Sequence, residues 1–480
     1  MSNVTSSRRT SAGALDAFAR VLEAMENNVS NASTPGHAQQ GVERDGLSFD
    51  PALGDSGGVN ASRVVSARNE YAEQAVRRQT ALLGEARQNA GSLTALQSVF
   101  DITGNWGMPN ALNNLLQSFS AWGQTPHDAV ARQKVITHAT DLANAFQQTA
   151  AGLANVTEDI ERQLQQTVDQ VNQLLGQLRG YNQEILQGDR HDAALDAQVH
   201  AILEQLSQYA DFTTMQQEDG AMSLLLNGQT PLLAGDRKFD LACRLQQPDN
   251  PPAVYPGAPP RARILGSDGT DITANVTSGQ LGALVDLRNR VLPSYIGDAY
   301  RPGDLNTMAK QFADRVNQLL MAGNVSEGPL PVPGAALFAY NAGDETHAAE
   351  TLSVDPNVTA DQLAATDPGP PLVSNGIPQA LSRLSDPQQG ADEIGGASYS
   401  AFYGDMAARI GSQLEDANTQ LSFQQSAVAQ AKYLRQQMSG VPLDEEATIL
   451  IQLQRASEAN SRVVTVLDQL TQDTLNMLQA

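Results

Sequence analysis

The distribution of proline along this 480-residue chain constrains its fold more than any other feature of the sequence. Seventeen of the 23 prolines lie between Pro248 and Pro387, none lies between Pro126 and Pro231, and only Pro442 follows the central block. Proline lacks the amide hydrogen that a helix interior needs, and its ring clashes with the preceding turn. The sequence therefore predicts helical flanks around a proline-rich, irregular centre.

Both ends of the chain carry apolar residues at the spacing of a helical stripe. The C-terminal stripe follows Gly440 and Pro442, which are typical of a helix end and a helix start, and it keeps the alternation of a coiled-coil seam. The N-terminal positions are Leu15, Phe18, Leu22, Met25 and Val29, and the C-terminal ones are Ile449, Leu453, Ala456, Asn460, Val463, Leu467, Leu470, Thr474 and Met477. Because the stripes lie at opposite ends of the chain, we predict that the terminal helices pair with each other and with neighbouring subunits. These residues would then form an assembly interface.

The rest of the chain indicates a mainly α fold, in which long terminal and internal helices form coiled-coil-like bundles with a small β or irregular inserted region. Helices are predicted over 111–122, 129–153, 153–185, 193–209, 281–291, 305–321 and 410–431. Strands are predicted over 59–65, 212–216, 221–226 and 262–265, and irregular stretches over 38–57, 248–260 and 323–378.

These patterns predict three domains. A terminal-helix coiled-coil domain combines residues 1–58 with 439–480. A helical bundle domain combines 59–322 with 396–438 and contains a small β-rich part at about 211–280. Residues 323–395 form a third, Pro/Gly-rich inserted segment.

Composition excludes several classes of partner and site. The formal charge of −23 disfavours nucleic acid, because binding to phosphates depends on Lys and Arg. The single cysteine, Cys243, excludes an intramolecular disulfide and a cysteine-rich zinc site. No apolar run is long enough to span a bilayer, and the N-terminal apolar positions are interrupted by charges, so we expect neither membrane insertion nor a cleaved signal peptide.

An enzymatic role is not supported by the motifs. Gly54-Asp55-Ser56-Gly57-Gly58 resembles the segment around the nucleophile of trypsin-like proteases, but only His37 precedes Ser56, and the flanks are helical. The six histidines lack HxxxH and HExxH spacing, and none of the four lysines lies in a phosphate-binding loop. We therefore predict no catalytic, cofactor-binding or metal site, and interpret the GDSGG run as a turn.

Two terminal motifs resemble those of the flagellar axial proteins of the rod, the hook and the hook–filament junction. One follows the first helix and the other begins the last; their matching residues are Asn27, Asn28, Asn31, Thr34, Pro35, Gly36, Leu443, Asp444, Glu445 and Glu446. The middle of the chain, at 115–119, 126–132, 139–146, 168–172, 278–284 and 305–317, is similar to the hook-associated protein 1 family. His37, Ala38 and Gln39 depart from the usual pattern of that family, which has a Tyr, a Ser or Thr, and an Arg there.

The resemblance implies a structural protein that forms a ring at the hook–filament junction and provides the platform for filament assembly. Because larger members of the family insert a β-rich outer domain in the centre of the chain, the resemblance also implies that the Pro/Gly-rich residues 323–395 are an outer insertion of reduced size. Its implied partners are further copies of the chain, the hook protein, a second junction protein and a cytoplasmic export chaperone that covers the C-terminal helix. It implies type III export without a cleaved signal peptide and an extracellular location in the flagellum. A hook or rod protein, or a cytoplasmic coiled-coil adaptor, is the alternative.

Overall fold

The computed structural model describes residues 2–34, 36–47, 58–100, 107–188, 193–248, 250–326 and 331–479. The chain forms two compact units. Unit 1 consists of Met1–Leu83, Val171–Phe239 and Gln424–Ala480, and unit 2 consists of Gly84–Gln170 and Asp240–Phe423.

Long helices dominate both units, which agrees with the predicted mainly α fold. The helices are α1 (Ser2–Asn31), α2 (Glu70–Val99), α3 (Gly107–Gln124), α4 (Ala129–Gln187), α5 (Ala193–Ser207), α6 (Gly279–Asp286), α7 (Leu292–Ile296), α8 (Asp304–Ala322), α9 (Ala348–Thr351), α10 (Gly376–Ser382), α11 (Tyr399–Ser439) and α12 (Leu443–Gln479). The strands are β1 (Gln40–Leu47), β2 (Gly58–Ser66), β3 (Phe212–Gln216), β4 (Met222–Leu226), β5 (Thr230–Ala234), β6 (Arg237–Lys238), β7 (Ala242–Gln246), β8 (Arg261–Leu265), β9 (Phe338–Ala339) and β10 (Ser353–Val354). Short 3₁₀ turns lie at Thr273–Asn275, Glu345–His347, Ala360–Gln362, Arg383–Ser385 and Gly390–Asp392.

Unit 1 combines the terminal helices with two small antiparallel sheets. Strands β1 and β2 form a hairpin that packs against α1, and β3 to β6 form a four-stranded meander. Asn182 on α4 is buried and fixes this meander: its Nδ2 donates to the carbonyls of Met222 (2.8 Å) and Gly235 (2.7 Å), and its Oδ1 accepts from the Met222 amide (2.9 Å). A buried amide with its hydrogen bonds satisfied specifies one register for the sheet.

Unit 2 has an aromatic and aliphatic core. Phe312 on α8 contacts the rings of Phe338 and Tyr399, with centroid distances of 6.0 and 5.1 Å. Arg288 is almost fully buried and donates from Nε to Glu161 at 2.8 Å, so its charge is neutralised inside the unit. Residues Leu287–Val291 continue α6 as a π-helical turn, which places the Asn289 amide against strand β8.

Most of the predicted elements are confirmed, with shifts of a few residues at their ends, except that α11 extends well beyond the predicted 410–431 at both ends. These are the helices that became α3, α5, α8, α11 and α12, and the strands that became β2, β3, β4 and β8. The two adjacent helices predicted over 129–153 and 153–185 are one continuous helix, α4, since no residue at their boundary breaks the helical hydrogen bonding.

The structure departs from the predictions in several places. The stretch predicted to be irregular over 323–378 contains β9, α9, β10 and the start of α10, and α7, β5, β6 and β7 were not predicted. Helix α2 was not predicted, because small and polar residues, such as Ala72, Arg77 and Thr80, separate the few large apolar side chains on its buried face. Strand β1 lies in the stretch predicted to be irregular, since its exposed, charged residues hide the alternation. The helix predicted over 281–291 ends as a regular α-helix at Asp286 and continues as a π-helical turn.

The predicted division into three domains stays a prediction. Within the segment predicted as an outer insertion, side chains such as Leu337, Leu352 and Leu363 are buried, and α10 packs against α3 in unit 2. Residues 54–57 of the GDSGG run lie outside the described part of the chain.

Candidate functional site: the terminal-helix interface

The terminal helices α1 and α12 pack against each other in antiparallel orientation. Three contacts define the alignment: Asn28 to Glu446 (3.0 Å), the Ser11 carbonyl to Asn460 (3.2 Å), and Arg8 to Asp468 (3.3 Å). The residue numbers decrease along α1 as they increase along α12, so the two ends of the chain form one helical pair.

One face of α12 is directed toward α1. Its residues alternate at spacings of four and three, as an a/d heptad seam does. We call them the inner seam: Glu446, Leu450, Leu453, Ser457, Asn460, Val464, Leu467 and Thr471, all buried or half-buried. Near the start of α12, Leu453 and the half-buried Leu450 belong to an apolar cluster with Val21 and Met25 of α1. This cluster is small, and polar residues interrupt the seam beyond it.

A second apolar row lies beside the inner seam on α12, and all of its members except the half-buried Ala456 are exposed. Its members recur every seven residues, at Ile449, Ala456, Val463, Leu470 and Met477, and we call them the outer stripe. Val463 is 48% exposed, Leu470 51% and Met477 75%. The C-terminal seam predicted from sequence combines this stripe with Leu453, Asn460 and Leu467 of the inner seam and with Thr474, which is exposed and belongs to neither row.

The N-terminal stripe is also divided between buried and exposed positions. Met25 is buried, Leu15, Phe18 and Leu22 are half-buried, and Val29 is 42% exposed. The centre of the packed face is instead Val21, with Ala17 and Ala24 also buried. Because α1 also packs against the β1–β2 hairpin, its buried face is wider than a two-helix seam.

Buried hydrogen bonds join the two terminal motifs at the end of this helical pair. Asn28 donates from Nδ2 to the Gln40 carbonyl (2.9 Å) and to Glu446 Oε1, and its Oδ1 accepts from the Gln40 amide (2.8 Å). Gln39 donates from Nε2 to the same Glu446 Oε1 (2.8 Å), and its amide donates to the Ser439 carbonyl (2.8 Å). We call Asn28, Gln39, Gln40, Ser439 and Glu446 the terminal clasp.

The other N-terminal motif residues end α1 and shape the turn after it. Asn31 donates from Nδ2 to Asn27 Oδ1 (2.7 Å), and the Thr34 hydroxyl donates to Asn31 Oδ1 (3.2 Å). Gly36 has a φ of +79°, which favours glycine. Pro35 lies outside the described residues.

The C-terminal motif residues begin α12. Leu443, Asp444 and Glu445 are exposed on the first turn, where the two carboxylates face the positive end of the helix dipole. Glu446 turns inward to the clasp and is only 2% exposed.

Three of the five clasp residues, Gln39, Gln40 and Ser439, were not among the site residues predicted from the sequence. Gln40 and Ser439 act partly through backbone groups, which carry no side-chain signal. Gln39 was noted only as a departure from the usual arginine, although its neutral amide still reaches Glu446. Val21 and Leu450 had a signal, because both fit a 3/4 stripe that is rotated by one residue.

Outside this interface, the described part of the chain offers few groups suited to metal binding or catalysis. No group of three or more His, Cys, Asp or Glu side chains there is arranged to hold a metal ion. Burial raises the pKa of the Cys243 thiol, with Glu161 acting in the same direction, so it is a poor nucleophile. Among these residues, no helix has the length and apolar character needed to span a membrane.

Comparison with known proteins agrees with both the helical fold and the terminal motif. Residues 93–338, just over half of the chain, match the family model of the flagellar hook-associated protein FlgK helical domain. Residues 431–477, which include the clasp glutamate and most of α12, match the model of the flagellar basal body rod FlgEFG protein C-terminal region.

Full-length relatives give the same result. The flagellar hook-associated protein 1 of Bacillus subtilis (strain 168) is 25% identical over 500 residues, covering 97% of each chain. The fold is similar to the solved flagellar hook junction protein FlgK from Burkholderia pseudomallei, with a TM-score of 0.61 over 76% of this chain and 99% of the other, at 15% identity. The chain belongs to the FlgK family of flagellar hook-associated proteins.

Proposed function

We propose that the chain is a structural component of the bacterial flagellum that joins the flexible hook to the filament and provides the platform on which the filament assembles. Membership of the hook-associated family supports the location, and the relatives are named a flagellar hook-associated protein and a flagellar hook junction protein. The observation that carries the mechanism is the double-sided α12, which packs on α1 through one row and leaves a second apolar row exposed.

The outer stripe is the proposed contact between copies of the chain. A helix with apolar residues at three of seven heptad positions can contact two helices at once, and α1 occupies only one side. The exposed apolar row would then be covered by a neighbouring subunit when a ring forms. The hook protein and the second junction protein would contact the two ends of that ring.

Before assembly, the same stripe needs another cover. A cytoplasmic export chaperone that binds α12 would keep it from aggregating, because an exposed apolar row is a surface prone to association. We further propose type III export without a cleaved signal peptide, and an extracellular location in the flagellum.

Deletion of the gene followed by electron microscopy tests this function. We expect hooks without filaments and flagellin in the medium, and complementation with the full chain should restore filaments. Normal filaments in the deletion strain would overturn the proposal.

The second candidate is a hook or rod protein, since the C-terminal match is to a model named for rod proteins. Deletion would then remove the hook itself. A cytoplasmic coiled-coil adaptor, the third candidate, would remain inside the cell, whereas a junction protein would be recovered with sheared flagella.

A further inference from the structure

A cluster of buried charges in unit 1 surrounds Arg68, between β2 and α2. The Arg68 side chain is 7% exposed and donates to three parts of the chain. Nη1 donates to Glu73 on α2 (2.7 Å), Nε and Nη2 donate to Asp196 on α5 (3.1 and 2.7 Å), and Nη2 also donates to the Gly36 carbonyl (2.7 Å). Arg68 therefore holds the turn after α1 against α2 and α5.

The end of α11 adds further charges to this cluster. Arg435 donates from Nη1 to Glu73 (3.2 Å) and Glu204 (2.7 Å), and Lys432 contacts Glu204 at 2.6 Å. Burial alone would raise the pKa of Glu204, but the hydrogen bonds from Lys432 and Arg435 lower it. On α2, Arg77 pairs with Glu70 and contacts Thr214 of β3.

Two histidines, His37 and His200, lie inside this cluster. His200 on α5 is 8% exposed, and its Nε2 is 3.6 Å from Asp196 Oδ1, a carboxylate already bound twice by Arg68. His37 lies in the segment that carries the clasp residue Gln39. Among the described residues, neither His200 Nδ1 nor His37 Nε2 has a hydrogen-bond partner.

Both histidines are held neutral at neutral pH. Burial lowers the pKa of His200 well below its ordinary value, and Arg68, Arg77 and Arg435 lower it further. Burial and Arg68 lower the pKa of His37, against a smaller opposite effect of Asp196.

The surrounding groups are nearly balanced in charge. They are His37 and Arg68 from the connecting segments, Glu70, Glu73 and Arg77 from α2, Asp196 and Glu204 from α5, and Lys432 and Arg435 from α11. Strand β3 contributes only the uncharged Thr214 and Gln216 to the adjoining cavity. Four acidic groups face four basic ones, so a proton on either histidine adds an unpaired positive charge.

The turn after α1 transmits such a change to the terminal helices. Gly36 lies directly against the α5 backbone, where a Cβ atom would overlap the Ala197 carbonyl oxygen. Three residues later, Gln39 binds Ser439 and Glu446 of the clasp. A displacement of α5 or Arg68 therefore acts on the same short segment that holds α1 to α12.

We propose that His37 and His200 form an acid-sensitive latch that couples the terminal helix pair to α5. Above about pH 6.5, which is the ordinary pKa of histidine, both histidines are neutral and the latch is closed. As the pH falls below that value, the unfolded or opened state takes up protons more readily than the closed one, so the closed state loses stability. Acid thus loosens the turn, α5 and the clasp.

Amide exchange of the full chain, expressed as protection factors at pH 7.5 and pH 5.5, tests the latch. We expect protection at residues 36–47 and 194–207 to fall by roughly tenfold in the wild type, because pH 5.5 lies about one unit below the ordinary pKa of histidine and the opened state then takes up a proton that the closed state excludes. The double variant His37→Gln, His200→Gln should lose most of this fall. The control variant His138→Gln, on α4 in unit 2, should keep it.

A fall in the double variant as large as in the wild type would overturn the latch, as would a wild type without pH dependence in these segments. Circular dichroism at pH 7.5 verifies that the double variant is folded. If the double variant is not folded, His37→Gln alone serves as the test, because His37 is only half-buried. This single variant should reduce the acid-induced fall in protection at residues 36–47. An unchanged fall there would contradict the proposal.

Discussion

The terminal clasp depends on single residues from opposite ends of the chain. Asn28 is fully buried and uses both its donor and its acceptor, while Glu446 accepts from Asn28 and Gln39 without a basic partner in the clasp. Such a cluster stabilises the fold only when all of its members are present, because a lost partner leaves buried polar groups unsatisfied.

Replacing Asn28 by alanine should therefore be costly. The change leaves the Gln40 amide, the Gln40 carbonyl and Glu446 each without one hydrogen bond, and we expect a loss of about 3 kcal/mol in the free energy of unfolding. Urea denaturation followed by circular dichroism measures it. The adjacent Asn27→Ala, at an exposed position, is the matched control and should cost less than about 1 kcal/mol; equal losses would show that the clasp has no special role.

The sequence identified two of the clasp residues but not the hydrogen bonds between them. Asn28 and Glu446 were identified through their motifs, but spacing cannot show that two residues 418 positions apart share a hydrogen bond. Backbone partners such as the Gln40 amide leave no trace in the sequence at all.

At the scale of elements, the turn between α1 and β1 needs a glycine for two reasons. Gly36 has a positive φ, and it approaches the α5 backbone too closely for a side chain. Gly41 on β1 has neither constraint, since nothing lies within 4 Å of its would-be Cβ.

We therefore expect Gly36→Ala to destabilise the chain by about 3 kcal/mol or more, because backbone strain and a backbone overlap add. Gly41→Ala should change the stability by less than about 1 kcal/mol. Thermal unfolding of both variants beside the wild type compares them. Similar midpoints for the two variants would contradict the close packing of the turn against α5.

Helix α12 should be unevenly stable in the isolated chain. Among its described residues, the most buried side chains are Glu446 and Leu453, both at the clasp end, whereas the apolar residues of the outer stripe are largely exposed. We expect slow amide exchange at 446–457, fast exchange at 461–479, and protection of the latter only after assembly. Uniform slow exchange along α12 in the monomer would show that its distal half needs no partner.

Element prediction succeeded where the apolar residues were large and regularly spaced, as in α4, α8 and α12. It failed for α2, whose buried face includes Ala72, Arg77 and Thr80, because ion pairs and close packing of small residues replace an apolar stripe. The sequence predicted a single seam on α12, which combines Leu453, Asn460 and Leu467 of the inner seam with the residues of the outer stripe. Which row faces α1 is decided by the partner, not by the helix itself.

At the scale of the whole molecule, the two rows of α12 allow one chain both to pack its own ends together and to join an assembly. The terminal helices, which come from the two ends of the sequence, need only one side of α12 to pair. The other side remains available for a neighbouring subunit. The formal charge of −23 opposes nonspecific association of the chain.

The most direct test of this claim compares two aspartate variants in a deletion strain. Leu470→Asp places a charge in the outer stripe without touching the inner seam, and the adjacent Gln469→Asp adds the same charge at an exposed polar position. Electron microscopy of the complemented cells should show filaments with Gln469→Asp and bare hooks with Leu470→Asp, while circular dichroism of the purified proteins shows equal helical content. Filaments of normal length on the Leu470→Asp cells would contradict the proposal that the outer stripe of α12 is the assembly surface.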